Sequence, residues 1–451
     1  MVLAALTILT VMLTEFQDET SAELGSAASH RDAMQAEYAA KSAVNLSRLL
    51  IATEPTIRQS LAPIFMIMGG APPQIPVWQY ADQVLGAFND AAGAESFSML
   101  SGVNVAEGEN LGLEGASFEL NIIDEDSKIN VNAAREQFGK IRLAQQLLAL
   151  MGGPQYDKLF EQRDERGNFH PRQAICAAII DWTDADQEAD PCEPYSETNQ
   201  QVGAEDSFYQ MLKRPYQRKN APFDSLEELH RVRGVSDDFW ATFVEPDPDN
   251  PSKRNLTVWG TGRLNVNTAN PQSILAAVCG YAPTEPICID PMEMQRFVMA
   301  MTLLKGVTMG APLFENEEAF VSALQGKGKF ATMLQAMELK PITLISADQL
   351  KKSIATESKV FSIYATGVVK SGQRETRTRV HAVVDFRDAP PPGQAMTAEL
   401  QRQLGAGQGA GAASPGSTLP PMDLPEGATE DAIRGALAPN PGGNLIYYKV
   451  N

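Results

Sequence analysis

From residue 15 to residue 52 the chain holds no proline and a single glycine, Gly25. Ahead of that stretch stands MVLAALTILTVML, residues 1–13, without a charge. Met34, Tyr38, Leu46, Leu49 and Leu50 recur at helical spacing on one stripe, which leaves Glu19, Glu23, Arg31, Lys41 and Arg48 for the other face. The pattern predicts one continuous helix of about 50 residues, about 75 Å long at 1.5 Å per residue. Pro55 is expected to close it. No ordinary globular helix is that long, so its first part belongs in a membrane or a packed fibre core and its second against a soluble head. The uncharged opening is shorter than the roughly 20 residues a bilayer core requires. It also lacks the basic start and small-residue cleavage site of a signal peptide, and it is read as a start placed too far downstream.

At 451 residues the chain is long enough for two or three cores. Its 56 acidic against 37 basic residues, net -19, oppose nucleic acid and anionic lipid headgroups, which are held by clustered Lys and Arg. Four cysteines fall into two local pairs, Cys176 with Cys192 and Cys279 with Cys288, neither at CxxC spacing. Two readings stand: four reduced core thiols, or two structural disulfides in an oxidising compartment.

Residues 55–116 read as loops around one amphipathic helix at 77–90. Phe118, Leu120 and Ile122 then alternate with polar neighbours as a strand, and Asp124, Glu125, Asp126 and Ser127 supply a turn. The piece SKINVNAA, residues 127–134, recurs as GRLNVNTANP, residues 262–271. In each copy two apolar residues are expected to enter a core while the asparagines face out. Asn270 and Pro271 open a helix that Gly280 can end. Helices are expected at 134–151, 172–182, 207–212, 225–232 and 236–243, then at 291–305, 316–325, 329–338 and 346–355. The period changes to two at 359–369 and 375–386, a β-hairpin around Lys370, Ser371 and Gly372. Residues 388–443, rich in Pro, Gly and Ala, read as a flexible tail, with LIYYKVN able to dock at its end.

Several ordered pieces resemble the general secretion pathway protein K family of type II secretion systems. They are the helical run GSAASHRDAMQAEYAAKSAVNLSRLLI, then DEDSKINVNAA, AIIDWTDADQEADP, GAEDSFYQMLKRPYQRKNAPFDSLEELHRVRGV, GRLNVNTANPQSILAAV and a closing HAVVDF. The resemblance implies an α+β, pilin-like fold: a long membrane-anchored N-terminal helix, a small antiparallel sheet and an inserted all-α domain of SAM or helix-hairpin-helix type. The implied divisions are 1–54 for the helix, 55–133 for the first part of the head and 134–256 for the inserted domain. Residues 257–387 form a second helical section with the hairpin, and 388–451 the tail. The implied role is that of a minor pseudopilin at the tip of the periplasmic pseudopilus, anchored in the inner membrane, with no enzymatic activity. Its implied partners are minor pseudopilins I and J, with H and the major pseudopilin G, through contacts of Met34, Tyr38 and Leu46. A periplasmic head favours oxidised cysteines.

One window carries site chemistry. Asp181, Asp184, Asp186, Glu188, Asp190, Glu193, Glu197, Glu205 and Asp206 occur without an intervening Lys or Arg. A solvated acidic loop is the plain reading. The alternate spacing of Asp184, Asp186 and Glu188 and the flanking cysteines suit a calcium ion, which takes six to eight oxygens in irregular geometry. The resemblance adds calcium in this region, and Asp184, Asp186, Glu188, Glu205 and Asp206 are the expected ligands. His30, His170, His230 and His381 stand in separate contexts, and neither a nucleophile elbow nor a phosphate loop is present. Two other readings stand beside the pseudopilin. One is a helix-hairpin-helix DNA-binding module around residues 232–235, which the net charge opposes. The other is a secreted calcium-dependent hydrolase, for which no nucleophile and base are found.

Overall fold

The computed structural model describes residues 2–67, 72–89, 115–135, 137–163, 167–185, 188–195, 207–308, 312–390 and 440–451. Helix α1, Val2–Ile67, runs through Pro55 and Pro63, so the expected stop at Pro55 is corrected. A proline inside a helix forfeits one N–H bond and crowds the carbonyl four residues back. Tertiary contacts offset that loss. Ile51 and Ala52 are buried, Glu54 pairs with Arg58 one turn on at 3.4 Å, and Glu54 accepts the Ile75 N–H at 2.9 Å. Residues 2–27 are exposed. Among the described residues no helix is long and apolar enough to cross a membrane.

The strands are β1 (Ala116–Asp124), β2 (Ile129–Asn130), β3 (Leu256–Thr257), β4 (Leu264–Asn265), β5 (Ile354–Ala355), β6 (Val360–Ser371), β7 (Arg374–Asp385) and β8 (Asn444–Val450). Four of them make an antiparallel sheet in the order β1-β6-β7-β8. β6 and β7 form the expected hairpin, turned by Gly372 at φ +64°. At the end of the chain, where LIYYKVN is expected to be able to dock, residues 444–450 add a strand to the sheet beside β7. Residues 391–439 of the expected tail lie outside the described residues.

Alternation sends Phe361, Ile363 and Ala365 of β6, with Val380, Ala382 and Val384 of β7, to one face, where they form a core with α1. The matching face of α1 is small: Ala36, Ala39, Ala40 and Ala43 are buried. Helix and sheet therefore approach so closely that a Cβ on Gly367 would lie 1.8 Å from the Ala36 carbonyl oxygen. Of the expected partner stripe, Met34 and Tyr38 remain exposed. Leu46 is half-buried and packs against the chain's own core. The alanines, although less apolar, face the sheet because they permit the shorter distance.

The chain leaves the sheet after β1 and returns at β6, its immediate neighbour. The intervening helices build two more cores. One gathers Ile129 to Val258 around the helices Gln137–Met151 and Arg172–Thr183. The other gathers Leu264 to Ile354 around the helices Pro271–Cys279 and Pro291–Val307. Asn270 does stand at the N-cap of Pro271–Cys279, yet its side chain makes no cap bond. Its amide donates to Lys253 O at 2.7 Å instead.

Candidate functional site

The three cores meet at the acidic turn after β1. Asp124, Glu125, Asp126 and Lys128 are all buried. Asp124 Oδ1 accepts the Asp126 N–H at 2.9 Å, and its Oδ2 accepts the hydroxyls of Thr268 and Ser358. Asp126 accepts the backbone N–H groups of Thr261 at 2.6 Å and of Lys359 at 2.7 Å. Glu125 takes Lys128 Nζ at 3.1 Å and the Thr257 hydroxyl at 2.5 Å. Three consecutive carboxylates thus tie the sheet at residues 358–360 to both helical bodies, at residue 257 and at residues 261–268. Burial works against the Glu125 charge, but Lys128 and the Thr257 hydroxyl outweigh it and hold that carboxyl below its usual range. Burial, and then the neighbouring Asp126, push Asp124 up to about 7.

Because the folded chain holds a proton on Asp124 that the unfolded chain releases near pH 4, this group's contribution to stability falls as pH rises through 7. Asp124→Asn keeps the shape without the charge. Unfolding of both proteins at pH 6 and at pH 8 should show the variant gaining on the wild type over that interval, by on the order of 1 kcal/mol. A constant gap between the two would refute the assignment. His381, held by burial at about 4, acts in the opposite sense below its ordinary 6.5 and is unchanged in the comparison.

The two NVN copies are equivalent in space. β2 pairs parallel with β3, and β4 pairs parallel with β5. The first asparagine of each copy accepts an N–H two residues on: Asn130 from Asn132 at 2.9 Å, Asn265 from Asn267 at 3.0 Å. The second closes a distant loop. Asn132 donates to the carbonyls of Phe223 and Val258 and accepts the Phe223 N–H. Asn267 donates to those of Phe314 and Thr356 and accepts the N–H groups of Leu313 and Phe314. The expectation that these asparagines face out is therefore corrected: unpaired backbone inside the fold needs their amides.

In the acidic window, Cys176 and Cys192 are disulfide-bonded, as are Cys279 and Cys288. Closing the first loop, 16 residues apart in sequence, is worth about 3 kcal/mol on loop entropy alone. Asp184, the first expected calcium ligand, is buried, with Lys140 on its Oδ2 at 2.7 Å and Arg218 on its Oδ1 at 3.4 Å. Its charge is already answered by two cations. Glu188 is exposed, while Asp186, Glu205 and Asp206 lie outside the described residues. Among the described residues no group of three or more His, Cys, Asp or Glu could hold a metal ion. Asp181 accepts the Asp190 N–H at 2.8 Å, and burial pushes it up to about 7. Gly234, the glycine of the hairpin that suggested DNA binding, adopts φ +82°, and a Cβ there would strike Ile175 at 2.5 Å. Its absence of a side chain serves packing on the helix Arg172–Thr183.

Sequence reading took the run DEDSK for a turn and missed it as a junction. The available signal was its position: three acids and a lysine directly between two apolar strand patterns, where a solvated charge run has no room.

The chain thus lays a long helix on a small antiparallel sheet, with helical bodies inserted between neighbouring strands. Residues 118–244 match the family model for type II secretion system (T2SS) protein K. A solved structure of the GspK-GspI-GspJ complex from the enterotoxigenic Escherichia coli type 2 secretion system is similar at 16% identity and a TM-score of 0.38, over 68% of this chain and 90% of that one. No curated protein matches the chain.

Proposed function

We propose that the chain is a minor pseudopilin that stands at the end of the pseudopilus, where it starts or caps assembly for protein export across the outer membrane. The observation that carries this reading is the protein K match over residues 118–244. The fold supports it physically. Two helical bodies, about the size of extra domains, leave the sheet between β1 and β6. Such bulk would collide with the next head in a stack of staggered helices, whereas a terminal subunit has free space beyond it. Minor pseudopilins I and J are the proposed direct partners, with H and the major pseudopilin G below them. The exposed apolar residues 2–13 of α1 are proposed to be the inner-membrane end of the helix, with the head in the periplasm, where the two disulfides fit an oxidising medium.

Purification of the full chain coexpressed with I and J should yield a 1:1:1 complex. Fibres labelled along their whole length by an antibody to the head would sink the terminal placement.

Calcium is proposed for the acidic window on carboxylate density, with Asp186, Glu188, Glu205 and Asp206 as ligands, since Asp184 is already taken by Lys140 and Arg218. Calcium at a hundredfold excess over its Kd should stabilise the fold by about 2.7 kcal/mol. An unfolding midpoint indifferent to calcium and chelator would refute it.

A further inference from the structure

α1 covers β6, β7 and β1, but β8 extends the sheet beyond it. The register puts Val450 opposite Val380, Tyr448 opposite Ala382 and Leu445 opposite Val384. Those three β7 residues belong to the face that packs on α1. The face therefore continues onto β8 as Leu445, Tyr448 and Val450, which stand 46%, 40% and 40% exposed. The flank of α1 walls one side of this strip. Arg48 donates to the carbonyls of Gly442 and Gly443 at 2.8 and 2.9 Å, where the chain enters β8. Two turns earlier, Lys41 lies close enough to Tyr448 to act on its hydroxyl. Tyr38 and Met34, further back along the same helix, are 56% and 58% exposed.

We propose that this strip, Met34 and Tyr38 of α1 with Leu445, Tyr448 and Val450 of β8, seats the long N-terminal helix of a partner pseudopilin. The occupant is argued from the interface that the strip continues. On the adjoining part of the same face the chain seats a helix of its own, through a stripe of alanines. A strand of six residues from Leu445 to Val450 spans about 20 Å, which is close to four turns of helix. A partner helix of α1's chemistry, small on one side, would lie beside α1 and cover the apolar side chains at which a free sheet face ordinarily invites uncontrolled association. The inference rests on the pseudopilin reading and adds to it the contribution of the chain's last strand.

Full-length chain is coexpressed with minor pseudopilins I and J, as wild type, as Tyr448→Asp and as Tyr38→Asp. In parallel a photo-crosslinking amino acid is placed at Tyr448 or, as a control on another surface, at Met299. A tenfold or greater loss of I and J binding is expected from each variant. Tyr38→Asp lies outside β8 and so separates a lost contact from an undocked strand. The probe at Tyr448, and not that at Met299, should join the N-terminal helix of a partner. Wild type that holds I and J while both variants bind equally well overturns this inference alone. Wild type that holds neither overturns the functional reading with it. Crosslinks from Tyr448 only to a second copy of this chain, to its own residues 391–439, or to a strand rather than a helix of a partner also overturn it.

Discussion

Gly367→Ala is expected to separate α1 from the sheet at a cost of about 3 kcal/mol or more, the upper end for overpacking a filled interior. The added carbon would sit 1.8 Å from Ala36 O, 2.8 Å from Ala36 C and 2.9 Å from Ala40 N. All three are helix backbone, so no flexible side chain can swing aside; either the helix shifts or it leaves. Gly367 lies in the middle of β6, between Thr366 and Val368, and its neighbours across the sheet are Phe118 and Thr378. Gly25→Ala supplies the opposite case. It lies in the exposed part of α1 with nothing within 4 Å of the added carbon, and alanine should strengthen the helix locally by up to about 1 kcal/mol. Denaturant unfolding checks the stability, and limited proteolysis of α1 checks the docking. A Gly367→Ala midpoint equal to that of the wild type, with α1 still protected, would refute the close approach.

Asn132→Ala and Asn267→Ala should cost about 3 and about 4 kcal/mol, from three and four lost bonds at roughly 1 kcal/mol net apiece. The loss lies in the orphaned backbone: without Asn132, the Phe223 N–H and the carbonyls of Phe223 and Val258 lose these partners inside the fold. Asn→Asp at either position should be no better, since it removes the donor and aims a carboxylate at two carbonyl oxygens. The two clips share no partner and close different cores, so their effects in the double variant should add to within about half a kcal/mol. Denaturant unfolding of the singles and the double measures both points. A loss below about 1 kcal/mol at either site would show that the loops are held by packing alone.

The repeat behind that prediction was legible from the sequence, and so was most of the local structure. Helices expected at 172–182, 291–305, 316–325 and 346–355 appear as Arg172–Thr183, Pro291–Val307, Glu317–Leu324 and Ala347–Ser353. The hairpin expected at 359–369 and 375–386 appears as β6 and β7. What misled was the direction of polar side chains. Asparagines alternating with Ile129 and Val131 read as the wet side of a strand, because periodicity reports which residues are apolar and not which unpaired carbonyls lie nearby. The acidic run at 124–126 misled in the same way, since carboxylates enter an interior only where donors from remote segments are waiting, here from residues 257, 261, 268 and 358–360. A signal for Gly367 was present in the sequence: a lone glycine inside an otherwise regular strand pattern marks a close backbone approach.

The sequence by itself determined the long helix, the order of helical bodies and hairpin, and the paired NVN segments, because each depends on periodicity and turn chemistry within a few residues. Only the tertiary structure decided that α1 continues past Pro55, that its alanine stripe and not Met34 and Tyr38 meets the sheet, and that residues 444–450 return as a fourth strand. Those outcomes depend on what lies opposite each segment in space. A missing helix hydrogen bond is outweighed by burial against the head. A stripe of small side chains wins through the distance it permits. A strand next to a long Pro- and Gly-rich stretch acquires a partner only because β7 has an open edge and the Arg48 guanidinium is there to hold its first turn.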